Sequence, residues 1–139
     1  MRQFQQVLTV RAPRQGLHDI TRDVTACAAA SDIATGLLTL FIGHTSASLT
    51  IQEDADSAVL RDLEDFFAAL APESVTRYRH NSEGADDMPA HIRSALTQTS
   101  LSIPMRDSVM VLGAWQGLYL FEHRRQPQSR QLTLHIIGD

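Results

Sequence analysis

Three histidines are the first candidates for chemistry in this chain of 139 residues. His44 directly follows Gly43 at the end of an apolar run, a position from which strand ends present polar side chains. His80 lies in a polar segment, and His91 follows eleven residues later in a short helical pattern. Their spacing matches neither a zinc finger nor His-Glu-x-x-His. The three imidazoles could converge to bind zinc with one position left open, or they could remain apart at the surface.

Carboxylates give a second set of candidates. Asp62 borders the apolar face of a predicted helix, where it is either solvated or directed into a cleft between helix and sheet. The run 83–87 holds three carboxylates, which form either a magnesium site or a solvated loop whose Asp87 caps the next helix. The residue types alone favour the solvated loop. Glu122 flanks the last predicted hairpin and is a further candidate.

The residues suited to binding a ligand lie mainly in the last third of the chain. Trp115 and Gln116 stand between two glycines, an arrangement suited either to stacking on a heteroaromatic ring or to a core tryptophan with small neighbours. Arg130 is a candidate for bidentate contact with a carboxylate or phosphate. Arg124 and Arg125 fall in a predicted turn and are expected to face solvent. Serines near His44 lack a recognisable base-and-orienter pair, which argues against a serine hydrolase.

Composition excludes several classes of function. The net charge of -4 disfavours binding to nucleic acid or to an anionic membrane. All twelve basic residues are arginine, so a lysine Schiff base and a phosphate-loop lysine are excluded. The only cysteine, Cys27, cannot form an intrachain disulfide and is expected to be a small buried residue. With no signal peptide and no apolar run near the ~18 residues of a membrane span, the predicted location is the cytoplasm.

The elements that must position these residues are strands at both ends of the chain, with helices between them. Apolar positions 17, 20, 24, 27 and 28 predict a first helix, and 55–70 predicts a second helix with Asp54 as its N-cap. Residues 88–96 predict a third helix, after a long loop that begins at Pro72. Strands are predicted at 4–11, 36–43, 101–105, 109–112, 117–121 and 132–137, with extended chain at 45–51 after a bend. This order predicts one α+β domain over residues 1–139, with a largely antiparallel sheet.

The motifs, taken in order, resemble those of the YjbQ-like family. The resemblance runs almost from end to end, and the order and spacing of its motifs match. Ala114 stands where the family commonly has Thr, Gln98 where a Gly is usual, and 123–128 where an acidic-Gly turn is common. The matching stretches are His44–Thr50, Asp62, His80, Glu83–Ile92, Ser100–Pro104, Gly113–Gly117, Glu122-His123, Arg130 and Gly138.

The resemblance implies a fold, an assembly and an activity. The implied fold is an antiparallel β-sandwich or barrel-like sheet with two or three helices packed on one side. The implied assembly is a homotrimer whose site residues gather near a subunit boundary. The implied activity is thiamine-phosphate synthesis, which couples a pyrimidine diphosphate to a thiazole phosphate and can be a side activity. A divalent metal, zinc or magnesium, is the expected cofactor.

The residues take hypothetical roles in this scheme. His80 and His91 would transfer protons, while Asp62 and Glu122 would orient them or help hold the cation. The substrate would contact Ser46, Trp115, Gln116 and Arg130, and the metal would contact His44, His80 and His91. Two alternatives use the same residues. One is a metal-dependent hydrolase or phosphatase, and the other is a non-enzymatic trimer that binds a metal or small ligand.

Overall fold

Two antiparallel sheets form the frame of the structure, a computed structural model that describes residues 1–139. Eight strands and three helices follow one another along the chain. They are β1 (Arg2–Ala12), β2 (Gly16–Asp19), α1 (Thr21–Ala29), β3 (Gly36–Ile42), β4 (Ala47–Glu53), α2 (Ser57–Leu70), α3 (Asp87–Leu96), β5 (Ser100–Arg106), β6 (Val109–Met110), β7 (Gln116–Glu122) and β8 (Gln128–Gly138). The α+β class and the antiparallel pairing predicted from the sequence are confirmed.

The chain crosses between the two sheets three times at one corner of the molecule. Sheet A has the strand order β1-β8-β3-β5-β6, and sheet B has the order β2-β7-β4. The crossings are residues 13–15, 43–46 and 123–127. Glu122, the last residue of β7, pairs with the first residues of both β2 and β4, which are Gly16 and Ala47. Side chains on all three crossings therefore lie close together, although they are far apart in sequence.

The core lies between the facing sides of the two sheets. Alternate residues of β8, such as Leu134, point into one large apolar cluster that also contains Leu120 of β7 and Val24 of α1. A smaller cluster lies on the outer side of sheet B, where Phe121 packs against Phe67 of α2. Strand β7 is thus covered on both faces, and every residue from Gly117 to Glu122 is buried. None of the three helices is both long and apolar enough to cross a membrane.

Two predicted boundaries differ from the structure. The helical spacing places residues 17–19 in the first helix, but they belong to β2 because their backbone pairs with β7, and the helix begins only at Thr21. The N-cap of α2 is Asp56 and not Asp54, since the Asp56 carboxylate accepts a hydrogen bond from the Ala58 N–H at 2.9 Å. The bend after β3 is confirmed, and it carries the chain into the other sheet.

A buried ion pair joins the two sheets at the crossing corner. Arg130 of β8 donates from Nε and Nη2 to the two carboxylate oxygens of Glu122, at 2.7 and 2.6 Å. Arg130 Nη2 also donates to Ser46 Oγ at 3.0 Å. The Glu122 carboxylate accepts two further bonds from the backbone N–H groups of His123 and Arg124. We call Glu122, Arg130 and Ser46 the clasp, because together they connect both sheets and the 43–46 crossing.

Removing one partner of the clasp tests its structural role. Arg130→Met keeps the apolar stem but leaves the Glu122 carboxylate, 0% exposed, without its counter-charge. We expect the free energy of unfolding to fall by about 3–5 kcal/mol in urea denaturation. The control is Arg106→Met at an exposed position without an ion pair, which should change stability by less than about 0.5 kcal/mol. Equal stability of the two variants would contradict the role assigned to the clasp.

Candidate metal-binding site

Four side chains that can bind a metal converge beside the crossing corner. Asp87 and His91 are four residues apart on α3, so both lie on one face of that helix. The long loop before α3 turns back at Gly84, which has a φ of +108°, and this places His80 and Glu83 over the start of the helix. The candidate ligand atoms of His80, Glu83, Asp87 and His91 all lie within 4.8 Å of one another.

Asp87 is at the centre of this group. Its carboxylate is almost fully buried, and Oδ2 lies 2.6 Å from His80 Nε2 and 3.3 Å from His91 Nε2. Its other oxygen accepts a hydrogen bond from Arg124 Nη1 at 2.7 Å. Burial opposes ionisation, but hydrogen bonds with Glu83 and His80 and the charge of Arg124 outweigh it and lower the pKa of Asp87. Asp87 therefore stays an anion inside the protein.

Arg124 holds the acidic run in place, contrary to the expectation that it faces solvent. Its side chain is only 23% exposed, and Nε donates to Asp86 Oδ2 at 3.0 Å. Nη2 donates to the Glu83 carbonyl at 2.9 Å. The hydrogen bond to Asp86 and the charges of Asp86 and Asp87 raise the pKa of Arg124, against the effect of burial. Arg125 is exposed as expected, with an ion pair to Glu73.

The orientation of His91 fits a cation at this point. His91 Nδ1 lies 3.0 Å from the Thr45 carbonyl, which can only accept, so Nδ1 carries the proton of the neutral ring. Nε2 then presents a lone pair to Asp87 Oδ2 at 3.3 Å. Two acceptors at this distance need a proton or a metal ion between them. A backbone carbonyl that fixes the far nitrogen is also the usual support for a histidine ligand.

The distances in the group agree with zinc coordination after a small adjustment. Zinc–nitrogen bonds of about 2.0–2.1 Å in a tetrahedron separate neighbouring ligand atoms by about 3.3 Å. The pairs His91–Asp87 and His80–Glu83 lie at 3.3 and 3.4 Å. The His80–Asp87 pair at 2.6 Å is a hydrogen bond and would have to lengthen on metal binding. The two imidazoles and two carboxylates are thus a suitable set of donors.

His44 lies outside this group, although its sequence position predicted it among the metal ligands. Its Nε2 is 3.2 Å from the Gln131 N–H, and its Nδ1 is 3.4 Å from Arg130 Nη1. Burial and the Arg130 charge lower the pKa of His44, against the opposing effect of Glu122. His44 and His91 face a shared groove of about 280 Å³. A neutral His44 thus lies beside the candidate metal group but outside its four residues.

The other predicted residues divide between the clasp and distant surfaces. Ser46, Glu122 and Arg130 form the clasp, so the Arg130 fork binds a carboxylate of its own chain. Asp62 is exposed on α2 and makes no hydrogen bond or ion pair.

Trp115 is 66% exposed, which rules out the core tryptophan. Gln116 Oε1 accepts from the Gly113 N–H at 2.8 Å. Both lie at the start of β7, about 20 Å from Glu122 at ~3.3 Å per residue.

Three residues of the site, Glu83, Asp87 and Arg124, were not predicted to belong to it. The available signal was the acidic run 83–87 between two histidines, with Asp87 and His91 at helical spacing. That run was interpreted as a solvated loop because nothing in the local sequence shows that Arg124, 37 residues later, covers it.

Known proteins resemble this chain along its whole length. The family model described as UPF0047 protein YjbQ-like matches residues 6–139. UPF0047 protein sll1880 of Synechocystis sp. is 50% identical over 138 residues, covering 99% of this chain and 94% of that protein. UPF0047 protein YjbQ of Escherichia coli O157:H7 is 39% identical over 137 residues, covering 98% of this chain and 99% of that protein.

Solved structures agree with these sequence relatives. The conserved hypothetical protein TT1486 from Thermus thermophilus superposes with a TM-score of 0.82 at 36% identity, covering 95% of this chain and 99% of that one. A YbjQ-like protein of unknown function from Sulfolobus solfataricus P2 gives 0.90 at 24% identity over 99% of both chains, which shows the fold alone. The fold, the ordered motifs and the relatives agree, and this chain belongs to the YjbQ-like UPF0047 family.

Proposed function

We propose that this chain is a metal-dependent enzyme acting on a phosphorylated small molecule. The observation that carries the proposal is the approach of His91 Nε2 to the buried Asp87 carboxylate at 3.3 Å, with His80 and Glu83 beside them. Two imidazoles favour zinc, whereas magnesium prefers oxygen ligands and water. Bound there, a divalent cation would supply a Lewis acid that offsets the negative charge of a phosphate group.

The surrounding residues have separate tasks in this proposal. Arg124 holds Asp87 Oδ1, so that Oδ2 remains directed at the two histidines. The groove shared by His44 and His91 can hold a substrate next to the cation. Because its pKa is lowered, His44 is neutral near pH 7 and lines this groove without adding a positive charge. The specific reaction proposed is thiamine-phosphate synthesis, in which the site would hold the leaving diphosphate.

We further propose that the active form is a homotrimer in the cytoplasm. The outer side of sheet A exposes large apolar side chains, among them Val7, Leu37 and Phe41. Val7 and Phe41 both pair with Thr133, one from each side, so the two side chains lie in one cross-strand row on this face of the sheet. An apolar surface of this kind marks a protein–protein contact more often than a free face. A trimer would also allow Trp115 of one copy to approach the histidines of another.

Zinc-binding measurements should distinguish two candidate sets of ligands. One is the four-residue group His80, Glu83, Asp87 and His91, and the other is the three-histidine set His44, His80 and His91. His91→Ala and Asp87→Asn remove proposed ligands, so zinc affinity in calorimetry should fall by more than the ~10–100-fold lost with an outer-shell partner. His44→Ala should keep the parental affinity, because His44 lies outside the four-residue group. Equal losses of zinc affinity in His44→Ala and His91→Ala would instead support the three-histidine site. A parent protein that binds neither zinc nor magnesium would refute the metal proposal.

The reaction can be tested by diphosphate release from a pyrimidine diphosphate with zinc or magnesium present. We expect release that requires the thiazole phosphate and that falls by at least ~100-fold in Asp87→Asn, the loss typical of an essential preorganised charge. Asp62→Asn should retain activity, because Asp62 is exposed and without partners. Hydrolysis of a phosphate-ester panel without coupling would favour the phosphatase alternative. Tight ligand binding without turnover would contradict an enzyme.

The proposed assembly can be checked by light scattering after size exclusion. A homotrimer should have three times the chain mass of 15.4 kDa. Phe41→Glu should lower the measured mass, because it places a charge on the exposed apolar side of sheet A. Phe66→Glu, at an exposed phenylalanine on α2, is the matched charge change elsewhere. A monomeric parent would contradict the trimer, and a Phe41→Glu trimer would exclude this face as the shared surface.

A further inference from the structure

The outer side of sheet A has no carboxylate on its central rows of side chains. Because side chains alternate between the two faces of a strand, the residues that flank the core positions of β1, β8, β3 and β5 point outward. Pairing between the strands joins these outward side chains into rows, and we call the three central rows the uncharged face. They are Gln3, Ile137, Leu37 and Pro104, then Gln5, His135, Thr39 and Ser102, and then Val7, Thr133, Phe41 and Ser100. Among these residue types, only histidine gains a charge near neutral pH.

His135 lies in the middle row, among groups that cannot balance a positive charge. Gln5 and Thr39 flank it on the neighbouring strands. Its Nε2 lies 3.0 Å from Gln3 Oε1, so the neutral imidazole can donate a hydrogen bond to this amide. Phe41, in an adjacent row, is 47% exposed. The amides and hydroxyls offer hydrogen bonds to the ring, but none of them supplies a counter-charge.

The charged groups around the uncharged face lie at its ends. Arg11 of β1 is six residues beyond the row of His135, which is about 20 Å at ~3.3 Å per residue. Arg106 is the last residue of β5. Asp139 follows β8, about 13 Å from His135 along the strand, and is paired with the Met1 ammonium group. On the inner side, the residues that flank His135 in β8 belong to the apolar core.

We propose that protonation of His135 drives the copies of the homotrimer apart. This inference rests on the proposed assembly through the outer side of sheet A. Where such faces meet, His135 of each copy loses contact with water against a surface that supplies no carboxylate. A neutral imidazole keeps its hydrogen bond to Gln3 there, whereas a charged imidazole is desolvated without a counter-charge.

The direction of the pH dependence follows from the protons that each state binds. A free copy, with His135 in water, binds a proton more readily than an assembled copy, in which the charge is desolvated. The stability of the trimer is therefore complete above about pH 6.5, where an ordinary imidazole is neutral, and is lost as the pH falls through that range. Below that range, the dissociation constant of the trimer should rise by at least ~10-fold for each unit of pH.

Light scattering after size exclusion, at about pH 8 and about pH 5.5, tests this inference on the full chain. The parent should have the trimer mass at the higher pH and a smaller mass at the lower pH. His135→Gln keeps a polar side chain that never gains a charge, so it should have the trimer mass at both pH values. His18→Gln, at a partly exposed histidine of sheet B, is the matched control and should dissociate like the parent.

A second variant and a measure of folding keep the test decisive. His135→Arg makes the charge permanent and should have a smaller mass than His135→Gln even at about pH 8, with far-UV circular dichroism showing that both variants are folded. Equal masses of these two variants would overturn the inference if acid unfolds the parent.

The outcomes separate this inference from the proposed assembly. A parent that stays trimeric at about pH 5.5, or that dissociates at the same pH as His135→Gln, would overturn the inference and leave the homotrimer intact. A parent that is monomeric at about pH 8 would refute the proposed assembly, and the inference with it.

Discussion

The buried Glu122–Arg130 pair is the constraint on which the rest of this structure depends. Removing two charges from water costs several kcal/mol per ion, and such a pair is tolerated only when its remaining hydrogen-bonding groups are satisfied. Here Glu122 also binds two backbone N–H groups, and Arg130 also binds Ser46. An apolar pair could match its stability but could not fix these neighbours. The clasp therefore sets the path of the chain where Arg124 leaves β7 and reaches Asp87.

The four residues of the candidate metal site differ in how firmly their neighbours hold them. Asp87 and His91 lie on α3 and are held by Arg124 and by the Thr45 carbonyl, which belongs to a crossing that the clasp also fixes. His80 and Glu83 lie on the loop before α3 and are more exposed. Two preorganised donors on a helix lower the entropic cost of binding a cation. His80 lies on the loop, which can shift so that the 2.6 Å contact between His80 and Asp87 lengthens when a metal binds.

Local patterns predicted most elements, and they failed where partners are distant. The apolar runs and the amphipathic α2 were visible because burial repeats with the period of each element. Residues 17–19 were misassigned because β7, about a hundred residues later, supplies their hydrogen bonds. Asp87 was predicted to cap a helix from a solvated loop for the same reason. Its carboxylate is buried because Arg124, far along the chain, pairs with it. His80 meets His91, and His44 stays apart from them, because of the path that the long loop before α3 takes. The spacing of residues in the sequence does not reveal that path.

The position of Trp115 and Gln116 limits how the family motifs can act together. They lie at one end of β7, and the clasp lies at the other, about 20 Å away at ~3.3 Å per residue. Strand β7 is covered on both faces and paired on both edges, so bending it would disrupt the core. No rearrangement within one folded chain can bring Trp115 to His91. If Trp115 and the histidines contact one substrate, they must come from different copies of the chain. Otherwise the exposed Trp115 contacts a different ligand or partner.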